Sequence, residues 1–221
     1  MQAEENPQSL KNMKYDQCKT CRRLGRKLFL KGERCFSQKC AMVRKAYIPG
    51  LQKKRKRGAS SEYKKSLEEK QILKKWYGLS ERQFKKYVKE ALGKMGKVED
   101  VSAELVKKLE KRLDSVIFRL GFANSRTQAR QLVSHGYFLI NGKPINIPSY
   151  SVRKGDVVSI KETKKKKLIF KDLPVQLKKK EISSWLEFDK EKLEGKAVGE
   201  PSLNEINLPV EISLIFEFYS R

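Results

Sequence analysis

All four cysteines of the chain lie within one 23-residue segment, residues 18–40, as Cys-x2-Cys, thirteen residues and Cys-x4-Cys. Two close pairs joined by a short loop are typical of four thiolates that converge tetrahedrally on one zinc ion. The predicted ligands are Cys18, Cys21, Cys35 and Cys40. Because the protein would fill all four positions, we expect a structural Zn²⁺ with no place for a catalytic water.

Three other interpretations of the cysteines compete with zinc. Disulfides are disfavoured because the first 17 residues have no apolar signal-peptide core, so that we expect a cytosolic chain with reduced thiols. A redox pair is disfavoured because no βαβ pattern surrounds the first Cys-x2-Cys. An iron–sulfur cluster accepts the same four ligands and stays open as the alternative to zinc.

The cysteine segment is strongly basic, and Glu33 is its only acidic residue. The whole chain has a formal net charge of +25, which favours a polyanionic partner, most commonly nucleic acid. Residues 1–58 carry +13, residues 59–175 carry +14 and residues 176–221 carry −2. We therefore expect the polyanion to contact the first two regions, and the near-neutral tail to contact protein.

Other partner classes find no support in the sequence. No stretch approaches the ~20 apolar residues of a membrane-spanning helix, so no membrane partner is expected. No P-loop, dinucleotide glycine motif, HExxH or GxSxG is present, so no enzyme activity and no small-molecule substrate are expected.

The predicted fold class is α+β, and the 38% apolar content allows small cores rather than one large core. The four predicted regions are a basic arm with the four-cysteine metal site (1–58), a helical domain (59–111), a small RNA-binding module (112–175) and a C-terminal β segment packing on that body (176–221).

Helix signals are clearest in the second region. Ser80 with Gln83 forms a capping box before a helical apolar pattern. A longer pattern over residues 101–122, continuous or broken, ends at Gly121. Ser125 and Gln128 then predict the start of another short helix.

The module is predicted to run helix, helix, hairpin, strand. Asn141-Gly142 between short apolar runs predicts the hairpin turn, and a further strand follows "KGD". Near the end of the chain, Ile212, Leu214, Phe216 and Phe218 alternate with polar residues and predict a C-terminal strand.

Arg126 and Arg130 lie four residues apart and therefore share one face of their predicted helix. Together with Arg119 and Gln131, they are predicted to bind RNA, since guanidinium groups suit phosphate and stack on unpaired bases. His135 has no nucleophile or orienting carboxylate nearby in the sequence and is predicted to cap the helix or stack on a base.

Basic side chains elsewhere in the arm, the following linker, the helices and the hairpin complete the predicted RNA contacts. They are Arg26, Lys27, Lys45, Lys53, Lys54, Arg55, Arg82, Lys85, Lys86 and Lys143.

Several stretches together resemble the bacterial-type small-subunit ribosomal protein S4 family, from about Cys18 to Arg221. They are "CKTCRRLG", "GERCFSQKCAMVRKAYIPG", "YGLSERQFKKYVKEA", "RLDSVIFRLGFANSRTQARQLVSHGYFLINGKPINIPSYSVRKGD", "WLEFDKEKLEGK" and "EFYSR". The long stretch, Arg112–Asp156, resembles the RNA-binding module named after the family, which also occurs in pseudouridine synthases and bacterial tyrosyl-tRNA synthetases.

The resemblance implies a structural constituent of the small ribosomal subunit that binds a junction in the 5′ domain of its rRNA early in assembly. It also implies contact with ribosomal protein S5 and other small-subunit proteins, a place near the path by which mRNA enters, and a role in decoding accuracy. Localisation would be the cytoplasmic ribosome, with an organelle left open.

The family's RNA-facing residues map onto Arg22, Arg23 and Arg44 in the arm and onto Arg119, Arg126, Arg130 and His135 in the module. Relatives with four cysteines here bind zinc. One stretch, "LQKKRKRGAS", departs from the glycine- and histidine-rich pattern that is common in the family.

Two alternative functions compete with this one. An RNA-modifying enzyme of the pseudouridine synthase kind would use Asp114, in "KRLD", as its catalytic aspartate, although this residue falls in a helical pattern. A zinc-stabilised DNA-binding regulator would need base-reading residues at a helical spacing that the sequence lacks.

Overall fold

A computed structural model of the 221-residue chain describes residues 17–50, 61–165, 167–170, 182–189, 192–203 and 205–220. The described part of the arm, residues 17–50, contains α1 (residues 17–24), α2 (Glu33–Phe36) and α3 (Ala41–Arg44). The helical layer contains α4 (Glu62–Trp76), α5 (Glu81–Leu92) and α6 (Val101–Glu110).

The remaining elements form the module and the tail. The module contains α7 (Leu113–Leu120), α8 (Arg126–Ser134), β1 (Phe138–Ile140), β2 (Lys143–Pro144) and β3 (Val157–Ile160). After it come α9 (Glu162–Lys165), a 3₁₀ turn (Leu168–Phe170), β4 (Leu186–Asp189), β5 (Glu194–Ala197) and α10 (Ile212–Ser220). Among the helices of the described residues, none is long and apolar enough to cross a membrane.

Polar caps begin two helices at the predicted residues. The Ser80 hydroxyl accepts the backbone N–H of Gln83 at 3.3 Å, and the Ser125 hydroxyl accepts that of Gln128 at 3.2 Å. Each cap satisfies a backbone donor that has no partner within its helix. The predicted starts of α5 and α8 are therefore confirmed.

The long helical pattern after residue 100 is broken into α6 and α7. At the break, the carbonyl of Lys111 accepts the N–H of Val152, and the N–H of Leu113 donates to the carbonyl of Tyr150, both at 2.8 Å. In a continuous helix these two backbone groups would bond to groups of the same helix. Because they bond instead to the segment before β3, the helix is interrupted here. The α7 helix ends as predicted at Gly121, whose φ of 88° is readily adopted by glycine.

The sheet is antiparallel throughout, in the order β2-β1-β3-β5-β4. The predicted hairpin is confirmed, since Ile140 pairs with Lys143 around a turn at Asn141 and Gly142 with φ values of 49° and 78°. Two positive φ angles are what a two-residue hairpin turn requires. Together with the helices, this sheet confirms the predicted α+β class.

The tail contributes to both parts of the body. Strand β5 pairs with β3 and so extends the module's sheet by two strands. Gly195 in β5 lies so close to α7 that a Cβ atom there would be 2.4 Å from Leu120 Cδ1. The second strand pair therefore belongs to the same core as the two module helices.

The predicted C-terminal strand is wrong, because residues 212–220 form helix α10. Its apolar residues are dense enough to fit both the two-residue period of a strand and the 3.6-residue period of a helix. Packing against the rest of the protein favours the helix. Ile212 and Ile215 are buried, and Phe216 and Tyr219 pack against the same core of α4, α5 and α6. These positions follow the i, i+3, i+4, i+7 spacing of one helix face.

The C-terminal helix is also held by a carboxylate on α5. Glu81 accepts hydrogen bonds from Lys70 at 2.8 Å, Lys74 at 2.6 Å and the Tyr219 hydroxyl at 2.8 Å. Partial burial alone would raise the pKa of Glu81, but these three hydrogen bonds lower it to about 2. The bonds to Lys70 and Tyr219 connect α5 with α4 and α10.

We predict that Glu81→Gln lowers the free energy of unfolding by about 1 kcal/mol at pH 7, a value limited by solvent screening at this half-exposed residue. An acid with a depressed pKa stabilises the fold above its unfolded pKa of about 4.3, and this gain is lost as the pH falls toward 2. Urea unfolding between pH 2 and 7 measures the difference. A constant difference across this range, or an equal loss in Glu99→Gln, would contradict the prediction.

Candidate nucleic-acid interface

A buried carboxylate, Glu110, lies where the end of α6 meets the two helices of the module. It is fully buried and accepts hydrogen bonds from the Tyr77 hydroxyl at 2.7 Å and from Arg119 at 2.8 and 3.0 Å. Arg126 Nη2 lies 3.2 Å from the same carboxylate. Burial alone would raise the pKa of Glu110, but the bonds from Arg119 and the charge of Arg126 hold it below its usual value. Glu110 is therefore an ionised internal link between the two parts of the body.

The Arg126 side chain lies among aromatic rings. Its guanidinium carbon is 3.9 Å from the ring centroid of Trp76, 4.6 Å from that of Phe118 and 4.8 Å from that of Tyr77. Only 9% of the side chain is exposed. Cation–π contacts and the buried carboxylate therefore hold this arginine inside the protein.

Arg126 and Arg130 do not project freely into solvent, and their contact with RNA phosphates stays a prediction. The two arginines do share one face of α8, but that face is turned toward the C-terminal end of α4. Arg130 is partly exposed and donates to the carbonyl of Gly78 at 3.1 Å, and Arg119 is occupied by Glu110. These arginines join the helical layer to the module.

A second buried ion pair lies beside the first. Arg112 donates to both oxygens of Asp114, at 3.0 and 2.7 Å, and to the Tyr87 hydroxyl of α5 at 2.9 Å. Asp114 also accepts the backbone N–H of Ser115 at 2.9 Å. Such a buried and fully paired carboxylate is a structural group, which argues against Asp114 as a catalytic aspartate.

The arm packs on the body rather than extending from it. Leu28 and Leu30 are buried in a small core with Ile72 of α4, and Trp76 packs against that core. The apolar residues of the arm are too few to form such a core by themselves. The core forms because α4 supplies the missing apolar surface.

Polar contacts join the arm to the start of α8. Gln17 donates to the Thr127 hydroxyl at 3.0 Å, and the Asn124 amide donates to Glu33 at 2.7 Å. A Cβ atom on Gly32 would lie 2.7 Å from the carbonyl oxygen of Asn124, so the two backbones are in close contact. The only acid of the cysteine segment is thus used to dock the arm on the module.

All four cysteine side chains line one cavity of about 20 Å³ in the arm. Burial raises the pKa of the Cys21 and Cys35 thiols, and the neighbouring cysteines raise both further. Cys35 Sγ also accepts the backbone N–H of Lys31 at 3.4 Å. Within the described residues, no group of three or more Cys, His, Asp or Glu side chains has an arrangement that could hold a metal ion as it stands.

The donor chemistry of this cavity nevertheless fits a zinc ion. Four cysteine side chains line one space, and cysteine sulfur is the donor that structural zinc sites use most.

The predicted arm cations divide into two groups. Arg22 and Arg26 have internal partners, since Arg22 donates to the Tyr47 carbonyl at 2.9 Å and Arg26 lies 2.8 Å from Glu69. Lys27 Nζ lies 5.1 Å from the ring centroid of Phe29. The predicted arm cations that are fully on the surface are Arg23, Arg44 and Lys45.

The predicted contacts on the body are mostly on its surface. Those with exposed side chains are Arg82, Lys85, Lys86, Gln131, His135 and Lys143. His135 is the residue that ends α8, and its backbone N–H donates to the Gln131 carbonyl at 3.0 Å. The predicted linker residues Lys53, Lys54 and Arg55 lie outside the described residues.

The sequence prediction did not include Glu110, the acid that forms ion pairs with Arg119 and Arg126 of the module. Glu110 continues the helical spacing of the buried residues Val106 and Leu109 and therefore occupies a core position of α6. An acid at such a position needs a buried cationic partner. This signal could have paired Glu110 with an arginine of the next helices, although it does not say which one.

Comparison with known proteins gives matches across the chain. A family model described as the ribosomal protein S4/S9 N-terminal domain matches residues 12–113, and one described as the S4 domain matches residues 111–158. The small ribosomal subunit protein uS4 of Thermotoga maritima is 46% identical over 205 residues, which cover 92% of this chain and 96% of that protein. The protein of the same name from Thermosipho melanesiensis is 48% identical over 206 residues, covering 93% and 97%.

Both matches cover the parts described above, since the first contains the cysteine segment and the helical layer, and the second contains α7, α8 and the hairpin. A third relative, uS4 of Thermodesulfovibrio yellowstonii, is 47% identical over 92% of this chain and 96% of its own length. The chain therefore belongs to the S4 family of small-subunit ribosomal proteins.

We predict that Glu110→Gln lowers the free energy of unfolding by about 3 kcal/mol, because two largely buried arginines lose their counter-charge. Urea denaturation at pH 7 measures the change. The matched control is Glu90→Gln on α5, whose carboxylate is 41% exposed and lies 2.8 Å from Lys108. The control should lose less than about 1 kcal/mol, and equal losses in the two variants would contradict the internal role of Glu110.

Proposed function

We propose that this chain is a structural constituent of the small ribosomal subunit and binds small-subunit rRNA. The observation that carries the proposal is its membership of the S4 family over more than nine-tenths of its length. The relatives are small ribosomal subunit proteins, and the family is structural rather than enzymatic. The internal pairing of Asp114 is consistent with this and removes the residue on which an RNA-modifying activity would depend.

The electrostatics of the chain support a polyanionic partner. The net charge is +25, and acids such as Glu81 and Glu110 are engaged in ion pairs within the protein. The exposed cations of the arm and of α5 have no such balance in their own segments, where Arg23, Arg44 and Lys85 are on the surface. Phosphate contacts of this kind position a protein on folded RNA, whose shape then supplies specificity.

The finer parts of the proposal come from the resemblance. The chain would bind a junction in the 5′ domain of the rRNA early in assembly, contact ribosomal protein S5 and lie near the path by which mRNA enters. It would thereby contribute to the accuracy of decoding. The bacterial relatives favour the cytoplasmic ribosome as its location.

We predict that affinity for a 5′-domain fragment of small-subunit rRNA falls steeply between about 50 and 200 mM salt, by about 10³-fold or more if six or more phosphates are neutralised. Arg23→Ala should weaken binding and reduce the slope of log affinity against log salt by about 0.7 to 0.9, the value for one phosphate contact. Filter binding at several salt concentrations gives both quantities.

The matched control is Lys192→Ala, which removes one exposed positive charge from the tail. It should leave the salt slope unchanged, because the tail region carries a net charge of −2. Affinity that stays flat with salt, or equal binding to duplex DNA of the same length, would overturn the proposal and favour a different partner.

The metal site is part of the same proposal. Cys18, Cys21, Cys35 and Cys40 would hold one structural Zn²⁺, supported by their four thiols around one cavity. Zinc would supply no chemistry beyond fixing the arm, because its four ligands would all be protein thiolates. The ion would add folding free energy to a segment whose small core depends on α4.

We predict that the protein purified without chelator contains one zinc per chain, measured by elemental analysis, and shows no iron–sulfur absorption. Cys35→Ser should lose the metal and increase amide hydrogen exchange in residues 17–50, while strands β1 and β3 stay protected. Ser37→Ala, in the same loop, is the control and should keep the metal. Metal-free native protein with a fully protected arm would contradict the zinc proposal.

A further inference from the structure

We propose that the stacked rings of Phe29 and Phe36, called the phenylalanine platform, bind an unpaired RNA base by stacking. The inference deepens the proposed rRNA binding and rests on it, since it names a contact that no charge pattern indicates. It concerns the cysteine segment, residues 18–40, where the sequence suggested only phosphate-binding cations.

The platform is unusual because both of its rings face solvent. The ring centroids are 4.9 Å apart with an angle of 29° between the planes, so the rings are stacked. Phe36 is 75% exposed and Phe29 is 43% exposed. Single exposed apolar residues are common on protein surfaces, but two rings already stacked on each other present one ordered aromatic surface.

The backbone holds the platform in place. Phe29 has a φ of 52°, which is uncommon for a residue other than glycine, and it lies between the buried Leu28 and Leu30. Phe36 follows the buried Cys35 at the end of α2. Because Phe29 lies between two buried residues and Phe36 follows a third, little conformational freedom is lost when a ligand stacks on the rings.

The charge around the platform selects the occupant. Lys27 Nζ lies 5.1 Å from the ring centroid of Phe29, and Arg34 and Lys39 are exposed on the same short segment. The one acid there, Glu33, accepts the amide of Asn124. Protein-binding patches have few charges at their centres, whereas sites for unpaired nucleotides combine aromatic rings with cations that contact phosphate.

The base must be unpaired, because a ring can reach the face of a base only where the stack is open. In folded RNA this occurs in loops, bulges and junctions. Each stacked base contributes about 1–3 kcal/mol by alanine substitution, largely independent of its identity. The platform would therefore add affinity at one nucleotide without reading the sequence.

The test uses the full-length protein and a 5′-domain fragment of small-subunit rRNA. Phe36→Ala should weaken binding by about 5- to 150-fold with no change in the salt slope, because stacking releases no counterions. Phe36→Leu, which keeps apolar surface but has no ring, should lose as much. Phe36→Trp should bind like the wild type, and the fluorescence of the added tryptophan should be quenched by RNA.

Three comparisons keep the result specific. Tyr63→Ala removes another exposed ring, on α4, and should bind normally. Removing single bases from the RNA should reveal one abasic position that weakens the wild type but not Phe36→Ala. Arg34→Ala should lower the salt slope, unlike Phe36→Ala.

Normal rRNA binding by Phe36→Ala or by Phe36→Leu would overturn the platform while leaving the proposed function intact. Loss of binding in Phe36→Ala together with an equally lowered salt slope would also overturn it, since the effect would then be electrostatic. If the wild type itself fails to bind rRNA, the proposed function fails first. Circular dichroism and thermal unfolding should match the wild type for each variant, because Phe36 is largely exposed.

Discussion

The arrangement of the body depends on one buried carboxylate. Glu110 ends α6 and binds an arginine from each of the two module helices, Arg119 and Arg126, as well as the hydroxyl of Tyr77. An unpaired charge at this depth would be strongly destabilising, so the helices can approach only in the register that pairs it. The companion pair of Arg112 and Asp114 reaches α5 through Tyr87 and fixes the same junction from the other side of the helix break.

This junction engages the arginines of the module within the protein. Arg119 and Arg126 of the module share the carboxylate of Glu110, and Arg130 donates to the carbonyl of Gly78, so all three make contacts within the protein. Exposed positive charge is present on the arm, on α5 and on the hairpin, for example at Arg23, Lys85 and Lys143. The module also supports the arm, through contacts such as that between Asn124 and Glu33.

Sequence reasoning worked where a residue type permits few conformations, and failed where a distant partner decides. The cap at Ser125 and the turn at residues 141–142 are local signals, and both are present in the structure. The sequence around Arg126 does not indicate which aromatic rings and which carboxylate contact its side chain. These partners come from α4, α6 and α7. The segment 212–220 fits both a strand and a helix over so short a length, and only the groove between α4 and α5 selects the helix. The convergence of the four cysteines on one cavity could also be predicted, because their close spacing in the sequence is a local signal. The packing of the arm on Ile72 could not be predicted, because Ile72 is distant in the sequence.

The arm is coupled more closely to the tail than to the sheet. Glu69 of α4 pairs with Arg26 of the arm at 2.8 Å and also accepts the backbone N–H of Glu211, just before α10, at 3.2 Å. Arg26 in turn donates to the carbonyl of Pro209 at 2.7 Å. The ends of the described chain thus meet on α4, far in sequence from each other. Loss of the Glu69 carboxylate would therefore remove one contact of the arm and one contact of the segment before α10 at the same time. None of these bonds involves a residue of the module's strands. The strands are stabilised instead by the hydrophobic core that they form with α7 and α8.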